Sequence, residues 1–356
     1  MKILIDIGHP AHIHYFKNFI FKSIKDGNEI KIVARDKEVT IDLLKSYKLS
    51  YVSRGKGGNS FFKKLIYFPY AIFKFLFESI KFKPDYFLAF GSPYLPLTSF
   101  LYQIPLITCD DTEHDFISHY MYKPFSSLII TPAYFRKNLG NKHVRINSIF
   151  ELGSLHPMFF TPDTNYLDNL NPDAEKYAII RFVEWNAIHD LNENGFSLKS
   201  KQKIVDELSN HMKVYISSEG KLPKSLEKFR IKTPPDRIHD FMSCAEIFIG
   251  DSGTMTVEAA LLGTPAIMFS SSAKHQGNFI SLTRDYSLLI ICEDQNDLLN
   301  LALNVIKNKN SKALWKKRSK KFMDNSINFT EFLLWLFEDY NNNSKKLIKD
   351  KYINDN

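Results

Sequence analysis

The chain has 356 residues, too many for one ordinary core and enough for two domains, and its 44 % hydrophobic share supports both. A net charge of +8 favours anionic partners, and with no nucleic-acid-binding motif present it points to nucleotides or phospholipid head groups. Three dispersed cysteines, Cys109, Cys244 and Cys292, form no Cys-x-x-Cys and exclude a disulfide framework, as suits a reducing cytoplasm.

Lys2–Ile7 reads as a buried strand rather than a signal peptide, and no stretch reaches the ~20 apolar residues of a membrane span. A helix over Ala11–Asp26 ends at Gly27, followed by a strand over Glu29–Ala34, a helix over Thr40–Tyr47 and a short strand over Ser50–Val52. Ser60–Phe82 is a long aromatic helix with a bend predicted at Pro69. Tyr86–Phe90, Leu106–Cys109 and Ser127–Ile130 continue the strands. The pattern loosens from Glu151 to Pro157 and again over Thr161–Asp173, where Pro, Asn and Asp mark a linker.

It then restarts with strands at Tyr177–Phe182, Lys213–Ser217, Ile247–Ile249, Pro265–Phe269 and Leu288–Ile291. The helices between and after them are Leu198–Met212, Ile238–Ser243, Gly253–Leu262, Gln276–Asp285 and Asp294–Asn308, then Ser311–Met323 and Phe329–Tyr340. Strand–helix alternation of this kind implies an α/β protein of two Rossmann-like doubly wound domains, 1–155 and 165–325, followed by a C-terminal helix over 326–340 and a mobile tail over 341–356. The lysines between Lys307 and Lys321 read as a solvated helix face, and those from Lys345 to Lys351 as part of that tail. In such sheets ligands bind outside the carboxyl ends of the strands; if the two sets of ends face each other, the active site is a central cleft.

The most informative run is Ile249-Gly250-Asp251-Ser252-Gly253-Thr254-Met255-Thr256-Val257-Glu258, continuing to Gly263-Thr264-Pro265. A buried strand ends in a glycine turn, and the helix that follows points its free N–H groups and its positive dipole end at that turn, a ready site for a diphosphate. The hydroxyls of Ser252, Thr254 and Thr256 can add hydrogen bonds, and Glu258, one turn in, suits ribose hydroxyls. A merely well-capped helix is the plainer alternative, and the Gly-Lys-Ser/Thr ending of a Walker loop is absent.

This run resembles the diphosphate-binding motif of non-hydrolysing UDP-N-acetylglucosamine 2-epimerases and of the N-acetylglucosaminyltransferase of peptidoglycan synthesis. The opening Asp6-Ile7-Gly8-His9-Pro10-Ala11-His12-Ile13-His14 resembles a GT-B-like family of unknown function, over roughly residues 1–340. The resemblance implies a GT-B fold, sugar-nucleotide chemistry in surface-glycan assembly, and a first loop that meets the acceptor. On that footing His12, and after it His9, is the candidate base, since a neutral imidazole suits a sugar hydroxyl. His14 reads as a helix-surface residue. Asp6 with His12 also has the residue types for a metal, which GT-B enzymes usually manage without; no metal or separate cofactor is expected.

Other loops after strands carry further candidates. Gly91 and Ser92 follow one strand; Cys109-Asp110-Asp111-Thr112-Glu113-His114 follows the next. Crowded carboxylates raise one another's pKa, so Asp110, Glu113 and His114 are candidates for acceptor binding or proton transfer, with helix capping by Asp111 as the plainer reading. In the second domain Arg181, followed by Glu184-Trp185-Asn186, suits a diphosphate, and Ser217-Ser218-Glu219 borders the base or ribose. In Lys274-His275-Gln276-Gly277-Asn278, Gln276 and Asn278 are candidates for donor-sugar hydroxyls.

The aromatic helix carries more apolar side chains than one buried face needs. Either it is a core helix with snorkelling lysines, or Lys63, Lys64, Lys74 and Lys81 meet anionic lipid while apolar side chains enter the head-group region. The expected function is a metal-independent glycosyltransferase moving a sugar from a nucleotide-diphosphate donor to a glycan or lipid-linked acceptor, in the cytoplasm or at the inner face of the membrane. Two alternatives stay open: a UDP-N-acetylhexosamine 2-epimerase or hydrolase of the same fold, and a non-catalytic nucleotide- or membrane-binding assembly protein.

Overall fold

The computed structural model describes all residues except 59–60, 170–174, 184–195, 219, 272, 274–275 and 355–356. The candidate residues Glu184, Trp185, Asn186, Glu219, Lys274 and His275 therefore lie outside the described residues. The chain divides into two compact units, Met1–His156 with Ser326–Asn356, and Pro157–Asn325.

The first unit begins with β1 (Lys2–Ile7), α1 (Pro10–Lys25), β2 (Glu29–Ala34), α2 (Thr40–Ser46), β3 (Tyr51–Ser53), α3 (Phe61–Phe82) and β4 (Tyr86–Phe90). It continues with α4 (Leu95–Tyr102), β5 (Leu106–Cys109), α5 (Phe116–Tyr122), β6 (Leu128–Pro132), β7 (His143–Ile146) and α6 (Leu152–Leu155). Its sheet is parallel in the order β3-β2-β1-β4-β5-β6-β7. Successive strand residues point to opposite faces, so Ile3, Ile5 and Ile7 meet α1 while Leu4 joins Val33, Phe75 and Phe87 on the other side. Asp6 shares that second face, a carboxylate within an otherwise apolar strand.

The second unit contains β8 (Tyr177–Phe182), α7 (Leu198–Ser209), β9 (Lys213–Ser218), α8 (Lys224–Glu227), α9 (Ile238–Cys244) and β10 (Ile247–Gly250). Then come α10 (Gly253–Leu261), β11 (Ala266–Phe269), α11 (Gly277–Arg284), β12 (Ile290–Cys292), α12 (Gln295–Lys307) and α13 (Ser311–Asp324). Its sheet, also parallel, runs β12-β11-β10-β8-β9. In each sheet the strand order reverses once, between β1 and β4 in the first and between β8 and β10 in the second. Such reversals open a crevice at the strands' carboxyl ends.

The chain's end departs from the sequence reading. The C-terminal helix, α14 (Phe329–Glu338), belongs to the first unit, where Phe329, Leu333 and Leu336 complete the core beside α1. The predicted mobile tail is instead helix α15 (Tyr340–Asn354), with Tyr340 and Ser344 buried and Leu347 and Ile348 packed on the same core. These four positions recur at helical spacing among lysines and asparagines, and a stripe that thin is hidden by the polarity around it. Strand β7 also escaped the sequence reading: its His143 and Arg145 make a short segment look like a loop, yet the His143 ring is buried, 2.7 Å from the Thr131 hydroxyl. No helix among the described residues is long and apolar enough to cross a membrane.

Candidate functional site

In the second unit the reversal point is occupied by the glycine turn. β10 ends at Gly250, paired with Arg181 of β8, which is itself paired with Ser217 of β9. A Cβ on Gly250 would lie 2.8 Å from the Arg181 Cβ, so a larger residue would push the arginine's strand away. Arg181 reaches along the strand ends and its guanidinium donates to the Ser217 hydroxyl at 2.9 Å. Asp251 is buried and accepts the Val183 N–H at 2.8 Å, which ties the turn to the loop after β8.

Ser252 is the N-cap of α10, extended in backbone, with its hydroxyl 3.5 Å from the Met255 N–H. The Thr256 N–H goes to the Ser252 carbonyl. The N–H groups of Gly253 and Thr254 are thus the open donors of the helix start among the described residues, and Ser252, Gly253, Thr254 and Met255 all remain partly exposed. A Cβ on Gly253 would sit 2.8 Å from the Phe279 ring, so α11 lies directly against this turn. That contact brings Gln276, the N-cap of α11, and Asn278, in its first turn, beside the cradle. The Asn278 side-chain oxygen is shielded from water and has no hydrogen-bond partner among the described residues.

Two expected ligand groups are turned inward instead. The Thr256 hydroxyl donates to the Ser252 carbonyl at 2.6 Å and the residue is fully buried, so it braces the first turn and does not face an anion. Glu258 is buried with its carboxylate 3.2 Å from His239 Nε2, a contact joining α10 to α9, and so is not open to ribose hydroxyls. A buried carboxylate needs such a partner, and His239 gave no signal in the sequence because it lies 19 positions away on a different helix.

The first unit gathers its loops at the β1/β4 reversal. His9 is the N-cap of α1: its Nδ1 accepts the Ala11 N–H at 3.2 Å, and its Nε2 lies 3.7 Å from Glu38. His12 is half-buried against the Phe90 ring, with centroids 4.7 Å apart, and its Nδ1 accepts the Gly8 N–H at 3.2 Å. Burial, aided by the neighbouring His9, Lys37 and Arg54, pulls its pKa well below the ordinary imidazole value. The ring is therefore neutral, with its proton on Nε2. This corrects the assignment of His12 as base: the accessible nitrogen is a donor, and freeing it to accept would cost the Gly8 hydrogen bond. His9 is held in the same tautomer by Ala11, with the same consequence. His14 is buried rather than on the helix surface.

Beneath this loop lies Arg54, a fully buried cation after β3. It donates to Asp6 at 3.1 Å and to the Tyr67 hydroxyl, and stacks 4.7 Å from the Tyr94 ring. Asp6 is thus occupied by an arginine and is not a metal ligand beside His12. Among the described residues no group of three His, Cys, Asp or Glu could hold a metal ion. The signal for Arg54 was Asp6 itself, since an acid inside a strand demands a buried cation.

At the end of β5 the acidic cluster separates into distinct roles. Asp110 is buried and saturated: it accepts from the Tyr122 hydroxyl at 2.6 Å, from the Thr112 N–H at 2.8 Å, and lies 3.1 Å from His119 Nε2. Glu113 is buried and accepts the Arg136 N–H at 3.1 Å, which ties it to the loop after β6. His114 is exposed in the turn. Asp111, read from sequence as a plain cap, is the group left partly open, and burial together with the adjacent Asp110 raises its pKa to about 7. Asp115, not Asp111, caps α5. The Cys109 thiol is pushed well up by burial and by the Asp110 and Asp111 charges, so it stays protonated. Gly91 follows β4 on the neighbouring strand, and Ser92 is buried with its hydroxyl accepting the Tyr94 N–H at 3.2 Å, a turn contact.

Solved structures share this architecture. The UDP-GlcNAc 2-epimerase from Neisseria meningitidis, bound to UDP-GlcNAc, matches with a TM-score of 0.67 at 14 % identity over 99 % of this chain and 100 % of that one. The spinosyn rhamnosyltransferase SpnG, complexed with spinosyn aglycone, matches with a TM-score of 0.59 at 12 % identity over 95 % of this chain and 100 % of that one. These likenesses show the GT-B-like α/β fold of two parallel sheets with helices. An uncharacterized protein of Methanocaldococcus jannaschii is 23 % identical over 278 residues, 75 % of this chain and 81 % of its own length. Residues 1–328 match the profile described as a protein of unknown function, DUF354, and it is to this family that the chain belongs.

Proposed function

We propose that the protein is a metal-independent glycosyltransferase that takes a nucleotide-diphosphate sugar, with UDP as the first candidate nucleotide. The observation that carries this reading is the cradle of the second unit: two open N–H groups at Gly253 and Thr254, the Arg181 guanidinium, and the positive end of α10 at one strand-order reversal. These groups stabilise charge that grows on the diphosphate as it leaves. Ser252 and the Asn278 oxygen, which has no partner among the described residues, adjoin the same turn and suit phosphate and donor-sugar hydroxyls respectively.

The first unit carries the proton-handling groups. An acceptor hydroxyl oxygen forms a bond to the anomeric carbon, the bond from that carbon to the phosphate oxygen breaks, and the hydroxyl proton passes to the Asp111 carboxylate. His12, neutral and donating from Nε2, orients the acceptor oxygen. The acceptor is a glycan or lipid-linked sugar of surface polysaccharide assembly, such as capsule or lipopolysaccharide. Residues 60–82 bring the protein to the inner face of an anionic membrane. The nucleotide sugar is a substrate and the reaction needs no further cofactor.

The second reading is a UDP-N-acetylhexosamine 2-epimerase or hydrolase, favoured by Asp111, whose raised pKa suits it to acid–base work without any acceptor. Incubation with UDP-N-acetylhexosamine alone separates the two, since turnover without acceptor defeats the transferase. The underlying test is calorimetry against UDP-, GDP-, CMP- and dTDP-sugars. One of them should bind, and Arg181→Ala should weaken it about 10- to 100-fold, as expected for a lost charge-assisted contact. A panel in which nothing binds would defeat both enzymatic readings and leave an assembly protein.

A further inference from the structure

Helix α3 has two apolar sides. Phe75 packs on the sheet beside Leu4 and Phe87, with Ala71 buried one turn before it, while Phe62, Ile66, Phe73, Phe77 and Ile80 form a separate stripe, each more than half exposed. Their spacings of four, seven, four and three residues keep them on one side of the helix. The surface extends onto α4 through Leu97, Phe100 and Leu101, and onto α5 through Phe116, Ile117 and Tyr120. These exposed apolar side chains lie on three helices of which α3 packs on α4 and α4 on α5, and they exceed the scattered exposure normal for a protein that meets only water.

A cavity of about 920 Å³ opens among the same helices and the turn between β6 and β7. Phe68, Ile72, Pro96, Leu97, Met121 and Phe125 supply apolar walls, and Lys123 and Lys142 stand exposed among its lining residues. Its charge is one-sided. Helices α4 and α5 contain no Asp or Glu, and the lone carboxylate of α3, Glu78, is buried and neutralised by Lys31 at 2.7 Å and Lys74 at 3.6 Å. Lys63, Lys64 and Lys81 add further positive charge along α3.

We propose that this cavity holds one hydrocarbon chain of an anionic membrane phospholipid, with Lys123 and Lys142 meeting its phosphate while the α3–α4–α5 surface lies against the bilayer. The inference rests on, and sharpens, the membrane-facing reading of residues 60–82: it names the ligand class and adds two helices and a turn to the contact. An apolar slot with a cationic mouth selects an amphiphile over a plain hydrocarbon or a free phosphate, because each half of the ligand is met by its complement.

The test uses the full chain with dodecyl phosphate, kept monomeric, in calorimetry, and phosphatidylglycerol–phosphatidylcholine vesicles in co-sedimentation. Dodecyl phosphate should bind; dodecyl maltoside, with a neutral head, and inorganic phosphate should each bind at least about tenfold more weakly. Leu97→Trp, which fills the slot, and the pair Lys123→Glu with Lys142→Glu should each weaken dodecyl phosphate at least about tenfold, with unchanged unfolding midpoints. Phe62→Ser with Ile66→Ser should reduce vesicle binding while leaving dodecyl phosphate binding intact. Retention of vesicle binding by a protein that ignores dodecyl phosphate, or equal binding by the slot-filled variant, would overturn the chain-binding proposal and leave the membrane reading standing. Loss of both would overturn both. Calorimetry with UDP-sugars on the same samples reports separately on the nucleotide site.

Discussion

Asp111 shows how little separates a structural acid from a reactive one. Its neighbour Asp110 spends its oxygens on Tyr122, Thr112 and His119, while Asp111 keeps access to solvent and a pKa near 7. As the base of the proposed reaction, Asp111→Asn should lower turnover roughly 10²- to 10⁴-fold and abolish the rise in rate with pH that the wild type shows near neutrality. A second readout needs no substrate. The ordinary aspartate value is 3.8, so between there and about 7 the folded protein holds a proton that the unfolded chain has released. The stability this contributes is complete below the lower value and lost as pH rises through the upper one. Urea midpoints taken at about pH 5 and about pH 8 should therefore fall with pH in the wild type and differ less in Asp111→Asn. Sequence could place the carboxylates at a strand end; which of two adjacent acids stays open depends on Tyr122 and His119, supplied by a helix whose packing no local pattern encodes. The histidines are similar. Their abundance was legible, but the tautomer of His12 is fixed by a backbone N–H at Gly8.

At the scale of elements, the strands were the most legible part of the chain. β1, β4, β5 and β8 are largely apolar runs because both faces of a parallel sheet are covered. The glycine turn after β10 was legible for a different reason: glycines at Gly250 and Gly253 mark places where a strand and a ring come too near for any side chain. Gly253→Ala should consequently displace Phe279 and weaken UDP-sugar binding at least about tenfold, with a smaller change in stability than in affinity. Equal losses in both would mean that the turn serves packing alone. The C-terminal helices were misplaced because amphipathicity says that an element packs without saying on what. Phe329 sits fully buried beside Phe16 and Phe150, and Phe329→Ala should cost about 3–5 kcal/mol in chemical denaturation of the first unit.

For the whole molecule, two sheets with separate cores predict two unfolding transitions unless the units melt together. A nucleotide sugar at 100 times its Kd should stabilise the second unit by about 2.7 kcal/mol. Scanning calorimetry would register this as an upward shift of one transition; a shift confined to the first unit would misplace the donor site. The division of the chain also bears on its synthesis. Residues 157–325 are inserted into the first unit, whose core closes with Phe329, Leu333 and Leu336. During translation the inserted unit can emerge whole while the earlier one still waits for its last side chains. The part made first is thus finished last, and a ribosome stalled near residue 325 would leave an unsealed hydrophobic face for chaperones to shield.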